Sequence, residues 1–140
     1  MSEFTVVVGD WHSLQQHAQH IRELVFILEQ DIAPEDEWDD QDPISTHFVV
    51  YDADQPIATA RLLSNDHVGR VAVLKEYRSK GIGKLVMQEI IALAKQQQRK
   101  ELILSSQVHA TQFYSGLGFA VQGESYLDCG IPHVDMVMTL

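Results

Sequence analysis

Arg78-Ser79-Lys80-Gly81-Ile82-Gly83-Lys84 is the stretch that decides the fold, because of what flanks it. Before it lies an apolar run, Val71-Ala72-Val73-Leu74, that reads as a strand. After it, Ile82, Leu85, Val86, Ile90, Leu93 and Ala94 recur at helical spacing to about Gln98. A strand that turns over two glycines into a helix leaves several backbone N–H groups without intrahelical partners, at the positive end of the helix dipole. That arrangement suits phosphate. Glycine serves where a side chain would hold a ligand off or where φ is positive. The stretch lacks the G-x-x-x-x-G-K-[ST] of a P-loop, and no third small residue completes the dinucleotide fingerprint G-x-G-x-x-G.

Around this loop the chain reads as a single domain over residues 1–140. Phe4 to Val8 is a first strand; Leu14, Ala18, Ile21, Val25 and Leu28 then keep helical spacing, with Asp10 or Ser13 available as N-cap. Pro34 to Pro43 breaks the pattern and crowds Glu35, Asp36, Glu37, Asp39, Asp40 and Asp42 around Trp38, which reads as a loop or short helix with a solvated face. His47 to Tyr51, Ile57 to Leu63 and Val68 to Leu74 predict an antiparallel meander. Leu102-Ile103-Leu104 is a short buried strand, reached from the preceding one by a right-handed parallel crossover. A brief helix from about Ala110 to Leu117 ends at Gly118, and Phe119 to Val121 and Val134 to Leu140 supply the last two strands.

Composition narrows the function. With 45% hydrophobic residues the chain can bury a core, so disorder is excluded. No apolar run approaches membrane-spanning length and no signal segment opens the chain, which points to a cytoplasmic protein acting away from membranes. Cys129 is alone, so no internal disulfide forms; a small filler or surface thiol is the preferred role. The net charge of −10 is uneven: residues 1–66 balance to −12, with Arg22 and Arg61 as sole bases, and residues 67–140 to +2. Nucleic acid is therefore no expected partner, since phosphate contacts need clustered Lys and Arg. His12, His17 and His20 on the first helix read as surface groups, and no metal is expected.

A second motif follows the loop by about thirty residues: Phe113-Tyr114-Ser115-Gly116-Leu117-Gly118-Phe119. Taken together, R-x-x-G-x-G and F-Y-x-x-L-G-F resemble the GCN5-related N-acetyltransferase (GNAT) superfamily, and the order of elements matches it from about Phe4 to Leu140. The resemblance implies an α+β fold with a mixed, mostly antiparallel sheet of about six to seven strands and about four helices. It implies acetyl-CoA as co-substrate and a primary amine of a small molecule as acceptor, attacked directly in a ternary complex. Two alternatives stay open: acetylation of a protein amine, and a CoA-binding sensor without turnover. A homodimer is compatible with it.

Residue by residue, the resemblance places pyrophosphate on Arg78, Ser79, Lys80, Gly81, Ile82, Gly83 and Lys84, and the pantetheine arm on Val71, Ala72, Val73 and Gln107. Tyr114 matches the tyrosine that points at the thioester sulfur as general acid; the other reading is a core aromatic. Gly130-Ile131-Pro132-His133 resembles the segment of glyphosate-acetylating relatives whose histidine is the base, against which stands a histidine that only packs the sheet end. Glu29 is a second candidate base or ammonium contact, or the partner of a nearby cation. Arg22, two turns earlier, either meets an acceptor anion or makes an intramolecular ion pair, as does Arg61. The acidic segment would draw an ammonium-bearing acceptor such as a polyamine or aminosugar.

Overall fold

The computed structural model describes residues 4–140. Seven strands form one sheet: β1 Phe4–Gly9, β2 Thr46–Asp52, β3 Gln55–Leu62, β4 His67–Val73, β5 Glu101–Gln107, β6 Ala120–Asp128 and β7 Ile131–Thr139. Their order across the sheet is β1-β2-β3-β4-β5-β7-β6, antiparallel throughout except for the parallel pair β4/β5. Four helices flank it: α1 Trp11–Arg22, α2 Pro34–Glu37, α3 Ile82–Gln96 and α4 Thr111–Leu117. Among the described residues no helix is long and apolar enough to cross a membrane.

The core follows from the sequence runs. Phe48, Val49 and Val50 on β2 are consecutive and fully buried, as are Ile57 and Ala58 on β3. Side chains alternate across a strand, so burial without alternation means that both faces are covered. Helices α1 and α3 both pack on β2 and β3. Helix α1 brings Leu14, Ala18 and Ile21; α3 brings Ile82, Val86, Met87 and Ile90. Asp10 caps α1, its side chain accepting from the Ser13 N–H at 2.8 Å. Gly118, at φ 113°, ends α4 in the left-handed conformation that favours glycine.

Three local features depart from the sequence expectation. The first helix continues past Arg22 as a π-helix over Glu23–Glu29, with the Gln30 N–H reaching back to the Val25 carbonyl at 3.1 Å. Strand β6 runs seven residues beyond Val121 as an edge strand whose residues are all exposed. The acidic segment does not form a solvated face: Glu37 and Asp42 are 2% and 3% exposed.

Those acids surround arginines. Arg22, 1% exposed, donates from Nε to Glu37 Oε2 at 2.7 Å and from Nη1 to Asp42 Oδ1 at 2.8 Å. Trp11 and Trp38 lie 5.6 and 5.1 Å from its guanidinium carbon, within cation–π range. Arg61 grips both Asp39 oxygens at 2.8 and 2.7 Å and Asp42 at 2.9 Å. Arg70 donates to the Glu37 carbonyl at 2.9 Å and to Asp39 at 3.2 Å. Three cations and three anions cancel, and the segment 34–44 is bound to β3, β4 and α1.

Burial pushes the Glu37 carboxyl up from its ordinary value while Arg70 and Arg22 draw it down. Removing Arg22 takes from the Glu37 and Asp42 carboxylates a buried partner that hydrogen-bonds both, so Arg22→Met should cost about 3 kcal/mol or more, read as a lowered urea midpoint at constant slope. A loss under about 1 kcal/mol would mean that Arg61 and Arg70 alone neutralise the acids. The hydrogen bonds from Arg61 hold the Asp39 carboxyl down at about 2. Its contribution is complete above the unfolded value near 4 and is lost as pH falls through about 2, and solvent screening at this part-exposed carboxylate holds it to about 1 kcal/mol or less. Asp39→Asn should therefore lower stability at neutral pH and flatten its decline between about pH 4 and 2.

Candidate active site

The sheet opens at its one parallel seam. Strands β4 and β5 pair only at His67 with Ile103 and Val68 with Leu104. The β3–β4 register then passes from Arg61 opposite Gly69 to Thr59 opposite Ala72, one residue more on β4 than on β3. Arg70, at φ 49°, stands in that bulge. A bulge bends its strand and raises local twist, and here β4 leaves β5. Between them lies a cavity of about 530 Å³, lined on the strands by Val71, Ser105, Ser106 and Gln107 and elsewhere by Phe26, Gln30, Tyr114 and His133.

The loop after β4 carries the chain from this strand into α3. Ser79 at φ 63° and Gly81 at φ 80° both adopt left-handed backbone. From Ser79 to Lys84, six successive N–H groups donate to no described residue; the first that does is Leu85, to the Gly81 carbonyl at 3.0 Å. Successive N–H groups around left-handed residues form an anion-binding concavity, and the 15-residue α3 adds its dipole. The two glycines differ in purpose. A side chain at Gly81 would meet nothing within 4 Å, so its positive φ is the requirement. A Cβ at Gly83 would come within 3.2 Å of the Phe113 ring, so its absence lets α4 approach α3. Lys80 and Lys84 are exposed, while Ile82 is buried and offers only its backbone.

Arg78 is already engaged. Nη1 and Nη2 clamp the two Glu29 carboxylate oxygens at 2.5 and 2.6 Å, and Nε donates to the Val73 carbonyl at 3.0 Å. That hydrogen-bonded guanidinium lowers the Glu29 carboxyl and makes it a weaker base. Of the two readings of Glu29, the structure has the cation partner. The same ion-pair reading holds for Arg22: its burial leaves no donor for an acceptor, so it is not a substrate contact. Of the three β4 residues, Val71 lines the cavity, Ala72 is buried opposite Thr59, and Val73 has its carbonyl on Arg78.

The π-helix brings Glu29 and Gln30 to the opening. Gln107 donates to the Gln30 side-chain oxygen at 2.9 Å and makes a 2.7 Å hydrogen bond with His109 through its own Oε1. Tyr114 packs edge-on against Phe113 and Phe119. Its hydroxyl has no hydrogen-bond partner among the described residues, and burial pushes it up to about 12. His133, partly buried, makes a 2.7 Å bond from Nδ1 to the Ile131 carbonyl. A carbonyl only accepts, so Nδ1 carries the hydrogen and the neutral ring keeps its lone pair on Nε2. Tyr114 and His133 thus line one cavity from opposite sides of β5, whereas Glu29 lies at the loop. Arg70 escapes the sequence reading; Gly69 within a strand is the signal for the bulge that carries it. Among the described residues no cluster of His, Cys, Asp and Glu is placed to hold a metal ion.

Residues 15–140 match the family described as "Acetyltransferase (GNAT) domain". An uncharacterised N-acetyltransferase of Bacillus subtilis, YjcF, is 37% identical over 124 residues, covering 86% of this chain and 89% of that protein. The solved structure of ElaA from Escherichia coli superposes with a TM-score of 0.87 at 26% identity, over 96% of this chain and 99% of that one. An acyl-CoA N-acyltransferase from Pseudomonas aeruginosa does so at 0.86 and 26% identity, with the same coverage.

If the loop is an anion site, Glu29 competes with the anion for Arg78. Glu29→Gln should tighten binding of inorganic pyrophosphate several-fold in low-salt calorimetry, and the gain should fade as salt rises. Unchanged affinity would mean that Arg78 does not contribute to the anion site.

Proposed function

The chain belongs to the GNAT acetyltransferase family, and on that premise we propose that it transfers the acetyl group of acetyl-CoA to a primary amine of a small molecule by direct attack in a ternary complex. The observation that carries this reading is the run of six undonated N–H groups, Ser79 to Lys84, in the loop that follows β4, the strand that parts from β5. A pyrophosphate fits such a concavity through backbone donors alone, with Lys80 and Lys84 exposed nearby for added charge. Val71, on the unpaired part of β4, and Gln107, at the end of β5, are the strand groups available to an extended amide-bearing arm. Arg78 joins them only by exchanging Glu29.

Acetyl transfer to an ammonium requires removal of a proton from nitrogen and donation of one toward the leaving sulfur. His133 presents an unprotonated Nε2 for the first task. Tyr114 serves the second with a hydroxyl free of other partners. Burial keeps that hydroxyl protonated at every physiological pH, yet it also makes the phenol a weaker acid than a thiol at about 8.5. Its contribution is therefore a hydrogen bond to developing thiolate charge more than complete proton transfer. A sensor without turnover would have no use for either group.

A small acceptor is favoured because α2 and the β6–β7 hairpin both line the cavity and border the space beyond the seam. Its charge is no longer dictated by the acidic segment, half of whose carboxylates are neutralised by arginine.

Acetyl-CoA at millimolar concentration should raise the melting temperature by mass action, and incubation with putrescine, glucosamine or glycinamide should release free thiol. No thermal shift would overturn the family-based site assignment. Tyr114→Phe should keep acetyl-CoA affinity and lower kcat by about tenfold or more. His133→Gln should lose most turnover together with the rise of kcat/KM through the imidazole ionisation, since only the neutral ring accepts a proton. Retention of that rise in the variant would remove His133 from the base position.

A further inference from the structure

His133 is held on its second side by a residue that neither the family motifs nor the sequence reading singles out. The Tyr126 ring lies stacked on the imidazole, with centroids 6.3 Å apart and planes 23° from parallel. Its hydroxyl donates to Asp135 Oδ1 at 2.6 Å and also contacts Ser105 Oγ. With the phenolic hydrogen on Asp135, the Ser105 hydroxyl is the donor in the second bond. Ser105 on β5, Asp135 on β7 and Tyr126 on β6 thus tie three strands together around the imidazole.

Strand register shows how this pairing arises. On β6 and β7, Gln122 faces Asp135 and Tyr126 faces His133, four steps on one strand against two on the other. Unbroken pairing from Gln122 would put Glu124 opposite His133. The irregularity around Gly123, at φ 83°, shifts the strand by two residues and keeps side-chain parity. An aromatic ring consequently occupies the place where a carboxylate would otherwise stabilise the protonated imidazole.

We propose that Tyr126 is a positioning residue of the acetyl-transfer site, stacking on His133 so that the imidazole keeps Nδ1 on the Ile131 carbonyl and Nε2 for the acceptor, with Asp135 and Ser105 fixing the tyrosine. This rests on the reading of His133 as base. The titratable groups around the imidazole are Asp135 on its own strand, Tyr126 and Asp128 on β6, Cys129 in the turn, Tyr114 on α4 and Arg70 on β4. Of these, Tyr126 alone makes a ring contact with it. The hydrogen bond to Asp135 and burial both raise the Tyr126 phenol, so it remains a donor across the working pH range.

Tyr126 is 40% exposed on an edge strand, so its replacement leaves the core intact. The test compares Tyr126→Phe, Tyr126→Leu, His133→Gln and the Tyr126→Leu/His133→Gln double variant, with ¹⁵N spectra of the histidines as a readout independent of any acceptor. In the unaltered protein His133 should show one neutral tautomer, protonated at Nδ1. Tyr126→Leu should mix the two tautomers, and Tyr126→Phe, which keeps the ring, should preserve most of the preference. With the best amine of the three named above, kcat should fall about threefold in Tyr126→Phe and about tenfold or more in Tyr126→Leu, at unchanged acetyl-CoA affinity. Adding Tyr126→Leu to His133→Gln should cost nothing further, because the two act as a unit.

An unaltered tautomer and unaltered kcat in Tyr126→Leu, or a full second loss in the double variant, would overturn the proposal and leave Tyr126 an ordinary cross-strand pair. If instead His133→Gln itself keeps turnover and its pH dependence, the base reading fails and the positioning role falls with it. The two failures are distinguished by His133→Gln alone.

Discussion

Three arginines meeting three carboxylates beneath the sheet are the constraint on which the rest of the structure depends. Arg22 comes from α1, Arg61 from β3 and Arg70 from the bulge of β4; Glu37, Asp39 and Asp42 all come from one short segment. Four of the six, Arg22, Arg61, Glu37 and Asp42, are buried, which is costly, and a hydrophobic cluster of the same volume would hold as well or better. What the charged version adds is direction. Each guanidinium accepts carboxylates only along its fixed donor geometry, so the segment can lie against β3 and β4 in one register. That segment is also a cavity wall, since Asp36 and Glu37 line it together with Arg61 and Arg70. The bulge at Arg70 needs the same support. A non-glycine residue at φ 49° is strained by about 1 kcal/mol or more, and Arg70 is anchored there by the Glu37 carbonyl.

The candidate site occupies the place where the backbone's hydrogen bonds run out. A sheet satisfies its polar groups by continuous pairing, and a parallel seam that ends after two residue pairs leaves some unsatisfied. Arg78 meets one of them, the Val73 carbonyl. The loop from Ser79 to Lys84 adds six donors without acceptors. These open groups follow directly on β4, the strand that leaves β5, and Tyr114 and His133 line the cavity between the two strands. Bulge, splay and loop therefore belong to one backbone event, fixed from below by the ion cluster and from the side by Glu29 on Arg78.

How much of this was legible depended on whether the relevant physics was local. The strand–loop–helix unit was readable because apolar period and glycine placement change together between Leu74 and Leu85. Tyr114 and Gly118 were readable within one short helix and its cap. The π-helix was not, because Val25, Phe26 and Leu28 suit an α-helix equally and only the Gln30 N–H, reaching Val25, shows the inserted residue. Strand β6 was truncated because an edge strand exposed over its whole length shows no alternation, and Tyr126 was lost with it. The acidic segment was misjudged for a different reason. Its partners Arg22, Arg61 and Arg70 lie 15 to 33 residues away along the chain, and charge counts carry no information about which pairs close. Of the two readings of Arg22 and Arg61, the structure has the internal ion pairs, and Arg70 in the bulge joins them into a cluster.

The two groups proposed as acid and base, Tyr114 and His133, are held by the fold in different physical ways. Tyr114 is packed among Phe113 and Phe119, where a phenolate would be poorly solvated, so burial alone secures its proton. His133 is held by hydrogen bonding: a backbone carbonyl accepts from Nδ1, which leaves the lone pair of the neutral ring on Nε2. Had β6 paired without interruption from Gln122, Glu124 would stand opposite His133. The irregularity at Gly123 removes that carboxylate and puts an aromatic ring in its stead. A two-residue slip in an exposed edge strand thus decides which side chain stands beside a histidine at the cavity.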